Sequence, residues 1–178
     1  MAQLPTTPIP FTFLKARLED CEVVGPDDVV YYEISTTHGF LGPEITTIQS
    51  IGHVSGSIHW REHSFTLNGA EKKWGDLEHR EKGLLGWFSS ERDWDWNERP
   101  YNFKYHDMHK ELLATPKFPG GEIVRFTTYQ YHLVHESARA VIYFPQDMDL
   151  TERMFLLMAV IAMEVAREEQ ERRRRRIA

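Results

Sequence analysis

The chain has little of what most catalytic or membrane-spanning proteins need. It holds one cysteine in 178 residues, which excludes an intramolecular disulfide and a multi-cysteine zinc site and fits a reducing compartment. That cysteine, Cys21, is flanked by Glu19, Asp20 and Glu22; nearby negative charge raises a thiol's pKa and makes it a poor nucleophile. Positive charge is in deficit, with 21 Lys and Arg against 27 Asp and Glu, so no nucleic-acid partner is expected and any contact with an anionic surface has to be local. There is no G-x-S-x-G elbow and no glycine-rich loop of the Walker or dinucleotide type, which sets aside NTPases and Rossmann dehydrogenases. Long hydrophobic runs are missing as well. Met154 to Met163 is apolar throughout but only ten residues long, about half of the ~20 that a spanning helix requires. The opening MAQLPTTPIPFTFLK carries no basic n-region and no long apolar h-region, so no secretory signal is expected. The expectation is one cytoplasmic domain without cofactor, since single domains run to roughly 100–200 residues.

What is present is a strand-rich chain ending in one unusual helix. Asp149 followed by Glu152 is a capping-box pattern that starts a helix running to Arg176. Its Met154–Met163 stretch has no polar face and must be surrounded by apolar material. The strand pattern predicts Val29–Thr36 paired with Ile45–Ile51, then Val54–Trp60 and Ser64–Leu67, with Asn68-Gly69 as a tight turn before a return strand Glu71–Trp74. Tyr101–Tyr105, Glu111–Ala114, Ile123–Leu133 and Ala138–Phe144 follow. Short strands at intervals of roughly 8–12 residues suit a sandwich or a barrel; a sandwich needs no central helix, whereas a closed barrel can hold one. The expected organisation is a proline-rich extended arm over 1–13, a barrel domain over 14–171 with its central helix at 150–171, and a basic tail over 172–178.

Three groups of residues are candidates for function. His106, Asp107 and His109 have a spacing that suits metal or acid–base chemistry from a turn, and His132 with His135 is a further pair. His59 and His63 are four apart, which in a strand puts them ~13 Å from each other. The segment Ser89–Tyr101, expected to be loop-like, concentrates Arg92, Trp94, Trp96, Arg99 and Tyr101, the residue types that dominate binding hot spots; its alternative is that both tryptophans turn into the barrel wall. Arg172, Arg173 and Arg174, with the two arginines after them, make the helix end basic. The macrodipole favours that without any partner, and anionic lipid is the functional alternative.

Tyr32-Glu33-Ile34-Ser35-Thr36, Thr46-Thr47-Ile48, Ile58-His59-Trp60, Phe88-Ser89-Ser90-Glu91-Arg92, Tyr101-Asn102-Phe103-Lys104 and the apolar helix with its arginines resemble an uncharacterised domain family of mushroom-forming fungi. That family is similar to the tubby C-terminal-like superfamily, which includes the LURP-one-related proteins and the phospholipid scramblases. The resemblance spans residues 29–176 and implies a closed antiparallel barrel of about twelve strands around a hydrophobic C-terminal helix. Tubby proteins bind phosphoinositides through a basic surface pocket whose residues have no counterpart positions here. Asn97-Glu98-Arg99-Pro100 stands where many relatives carry an Asp-Gly turn. Two functional readings follow. The first is a non-enzymatic intracellular binding or scaffold protein that contacts anionic phospholipid headgroups or a protein partner, peripherally at a membrane. The second is an enzyme or small-ligand carrier with a pocket at a barrel mouth, using His106, Asp107, His109 and His132.

Overall fold

The structure is a computed structural model that describes residues 7–40, 42–78, 91–131 and 137–177. Alternation of apolar and polar side chains builds its sheet: in β3 (Val30–Gly39), Tyr32 and Ile34 are buried while Glu33 and Ser35, which follow them in turn, are exposed, as a strand with one covered face requires. The strands before β3 are β1 (Ile9–Phe13) and β2 (Glu22–Val24). After it come β4 (Gly42–Ser50), β5 (Ser55–His59), β6 (Ser64–Leu67) and β7 (Ala70–Lys73). A single helical turn, α1 (Trp74–Leu77), precedes β8 (Glu91–Trp96) and β9 (Arg99–His106). The series ends with β10 (Glu111–Pro116), β11 (Val124–Thr127), β12 (Val141–Phe144) and the helix α2 (Leu150–Ile177).

Among the described residues, twelve strands lie in one antiparallel sheet, ordered β7-β6-β5-β4-β3-β2-β1-β12-β11-β10-β9-β8. Every neighbouring pair but one is consecutive in sequence. The exception joins the two ends of the chain, with β1 paired to β12 from Ile9 opposite Phe144 to Thr12 opposite Val141. The arm expected over 1–13 therefore has to be corrected from Ile9 onward: Phe11 and Phe13 are core residues of an interior strand. Pro10 misled the reading, because proline suits a strand only where its missing N–H is not needed. Two further corrections concern strand ends. Of Ile123–Leu133, Val124–Thr127 is strand, ending where Glu111, the first residue of β10, lies opposite Thr127, and Gln130 then makes an isolated bridge to Ala138; His132 and Leu133 lie outside the described residues. Ser89–Tyr101 is largely the β8–β9 hairpin rather than loop. At its tip, Asn97 and Glu98 both have positive φ, 56° and 62°. Asn68-Gly69 supplies the same left-handed pair with φ 50° and 84°, as a two-residue hairpin demands. A glutamate held there costs about 1 kcal/mol relative to glycine.

The face that the sheet buries is filled by α2. Met154 to Ala162 are each at most 2% exposed, although nothing about the run itself says what covers it. Strands from across the sheet do so. The Phe155 ring lies 6.4 Å from Phe65 of β6, 5.7 Å from Trp96 of β8 and 6.3 Å from Phe103 of β9. Arg153 lies 5.9 Å over Phe11 of β1 and 6.0 Å over Phe144 of β12. At Gly56 of β5 a Cβ would sit 2.7 Å from Met158 Sδ, so helix and strand approach closely only because the residue is glycine.

β7 and β8 are the two edges of the sheet, and no ladder of hydrogen bonds joins them among the described residues. One isolated antiparallel bridge, Glu78 to Trp94, lies beside this junction. Side chains cross it, with Trp74 5.7 Å from Trp94 and Lys72 Nζ 4.7 Å over the Trp96 ring. The α2 helix begins at the end of the sheet where β8 turns into β9, the entry end, and leaves past the 3-10 turn Leu18–Asp20, the exit end.

Candidate functional site

The entry end is built on one carboxylate. Asp149 caps α2, its Oδ1 accepting from the N–H of Thr151 at 2.8 Å and of Glu152 at 3.2 Å. The Glu152 side chain points instead across to β9, where Oε1 accepts from Tyr101 Oη at 2.7 Å and Oε2 from Arg99 Nη1 at 2.5 Å. Burial, and then the Glu152 carboxylate it binds, push the Tyr101 phenol well above its ordinary value. Around this group lie two adjoining cavities, of about 410 and 500 Å³, that share Arg99, Tyr101, Asp149 and Glu152. Trp96 and Phe155 line one of them and Phe118 the other.

Of the candidates in Ser89–Tyr101, Arg99 and Tyr101 thus converge, on a partner more than 50 residues away. Trp94 and Trp96 are buried at 1% and 6% exposure and pack against Phe65 and Phe155 respectively. Arg92 forms an ion pair with Glu78 at 3.3 Å and lies 5.4 Å over the Trp94 ring. Burial lowers its pKa, against the opposing pull of Glu78.

The exit end is built mainly on α2, which stays helical through the segment expected as a tail, to Ile177. Glu164 is buried and takes Arg167 on both oxygens, at 2.8 and 2.7 Å; Arg167 also reaches Glu171 and lies 4.9 Å over Tyr105. Burial and then the Glu164 charge push the Glu168 carboxyl up. Beyond this, Arg172 pairs with Glu168 at 3.0 Å and Arg173 with Glu169 at 2.5 Å, both one turn back. Arg174, Arg175 and Arg176 are exposed and make no ion pair among the described residues.

The described histidines do not gather on one point. His106 closes β9, and Asp107 and His109 lie in the exposed turn to β10, where the His109 N–H donates to the His106 carbonyl at 3.2 Å. His132 and His135 lie outside the described residues. His59 Nε2 sits 3.0 Å from Ser57 Oγ and 3.2 Å from Thr66 Oγ1, whereas His63 turns onto Trp74 with ring centres 5.1 Å apart. Among the described residues no three His, Cys, Asp or Glu side chains are placed to hold a metal ion. Cys21 is buried, and burial, more than Glu19 and Asp20, pushes its thiol up to about 12.

Fold and site together define a mainly β protein, one twelve-stranded antiparallel sheet packed on a C-terminal helix whose two ends carry opposite charge. No family model, curated protein or solved structure matches the chain. No helix among the described residues is long and apolar enough to cross a membrane. Glu152 was missed as a site residue because its place in the capping pattern already explained it. Only the fold brings Arg99 and Tyr101 to it.

Proposed function

We propose that the protein is a non-enzymatic binding protein, a tubby-like barrel closed around α2, that associates peripherally with membranes rich in anionic phospholipid through the arginines at the end of that helix. The observation that carries this reading is the exposed Arg174–Arg176 triplet, which has no ion-pair partner among the described residues and is carried on the last turn of α2. Helix geometry spreads such a triplet around the rod at about 100° per residue, so that in most orientations at least one charge meets a surface. The aromatic and aliphatic packing around Met154–Ala162 supports a closed wall, with side chains rather than a ladder filling the β7–β8 junction.

Each basic residue near an anionic leaflet contributes about 1 kcal/mol, so three together are worth on the order of 100-fold in binding. Co-sedimentation with vesicles containing phosphatidylserine and phosphoinositide tests this. The wild type is expected to bind at low salt and release at high salt, and the triple variant Arg174→Gln, Arg175→Gln, Arg176→Gln to bind about 100-fold more weakly. Equal binding to neutral vesicles, or none at low salt, overturns the reading.

A further inference from the structure

Both cavities at the entry end are lined by a cation of the chain's own, Arg99. The Arg99 guanidinium sits between the Glu152 carboxylate, 2.5 Å from its Nη1, and the Phe118 ring, 5.6 Å from its central carbon. A carboxylate on one side and an aromatic face on the other are the two contacts that recognise an organic cation. The two partners differ in exposure. The Glu152 side chain is 9% exposed and is also held by Tyr101, whereas the Arg99 side chain is 55% exposed and comes from the hairpin tip. The guanidinium can therefore swing into solvent and leave the carboxylate and the ring in place. The remaining charged groups lining the space, Glu122, Asp147 and Asp149, are all acidic. Setting Glu122 aside, Asp147, Asp149 and Glu152 put three carboxylates against one guanidinium, in a recess whose walls focus the negative field.

We infer that the entry end is a binding site for a small organic cation bearing a guanidinium or primary ammonium group, and that Arg99 is its intramolecular occupant, displaced when the ligand enters. The site is independent of the lipid surface at the other end of α2. Its affinity in the wild type is reduced by the fraction of molecules in which Arg99 already fills it, so removing that side chain strengthens binding. The opposite follows for an arginine that acts only as a structural clamp.

The experiment titrates butylguanidinium and butylammonium, with butyrate as the anionic control, into the full chain while following the indole N–H resonance of Trp96 and the binding heat. Arg99→Gln is expected to bind both cations about tenfold more tightly than wild type. Adding Phe118→Leu, which leaves the charge unchanged, should weaken that binding about threefold, and adding Glu152→Gln should abolish it. The melting temperature of each variant reports folding, and the Phe118 comparison stands if the Glu152 variant does not fold. No saturable response of Arg99→Gln at millimolar cation, equal or weaker affinity than wild type, or an equal response to butyrate overturns the proposal.

Discussion

The two ends of α2 carry similar chemistry in opposite settings. At the entry end, Glu152 is held by Tyr101 and Arg99 from β9 and is shut away from water. At the exit end, Glu168 and Glu169 are held by Arg172 and Arg173 from their own helix, with both arginines about two-thirds exposed. An ion pair in water contributes little because solvent screens it, while a buried carboxylate left without its donors loses solvation that nothing returns. The same residue types therefore serve to anchor and shape a recess at one end and to present charge at the other. The helix dipole favours this distribution, acidic at the N-terminus and basic at the C-terminus.

Changes along the helix test the contrast, beginning with the segment between the ends. Leu157→Asp puts a carboxylate at a fully buried position and is expected to abolish cooperative folding, since an unpaired buried charge costs several kcal/mol out of ~5–15 in total. An unchanged thermal melt by circular dichroism would show that the sheet does not enclose this run. The next change is a pH effect near the exit end. Folded Cys21 keeps its proton up to about pH 12, while the unfolded thiol loses its proton near the ordinary value of 9.0. Between those limits the unfolded state binds fewer protons, so stability falls as pH rises, and Cys21→Ala should flatten that slope in urea titrations. Parallel slopes would mean that the thiol is not buried in solution.

At the entry end, Tyr101→Phe removes one donor from Glu152 and should cost about 1–3 kcal/mol, read as a shift in denaturation midpoint. Arg173→Ala at the exit end should change stability by less than about 0.5 kcal/mol. Equal effects of these two substitutions would erase the distinction between the ends.

Much of the fold is legible in local pattern. The strands β3 to β6 follow from alternation, the β6–β7 turn from Asn68-Gly69, and α2 from its cap and its apolar run, because each signal lies within a few residues of what it specifies. Reading failed where a partner distant in sequence decides. Ile9–Phe13 is strand because β12 lies beside it, and β11 ends at Thr127 because β10 begins opposite that residue. The aromatic segment Ser89–Tyr101 divides the same way: alternation turns Trp94 and Trp96 inward, while Arg99 and Tyr101 meet a glutamate some fifty residues further on.

By itself, then, the sequence determined that this chain makes short antiparallel strands and one helix whose first half has to be covered on every side, since propensity, turn chemistry and hydrophobic period are local properties. The tertiary structure alone decided what covers that helix and which charges are buried. Packing a single helix against one face of the sheet brings Glu152, Arg99 and Tyr101 into one recess and leaves Arg174–Arg176 outside. The strength of a charge's interactions depends on how much water the surrounding fold removes, and no stretch of sequence carries that quantity on its own.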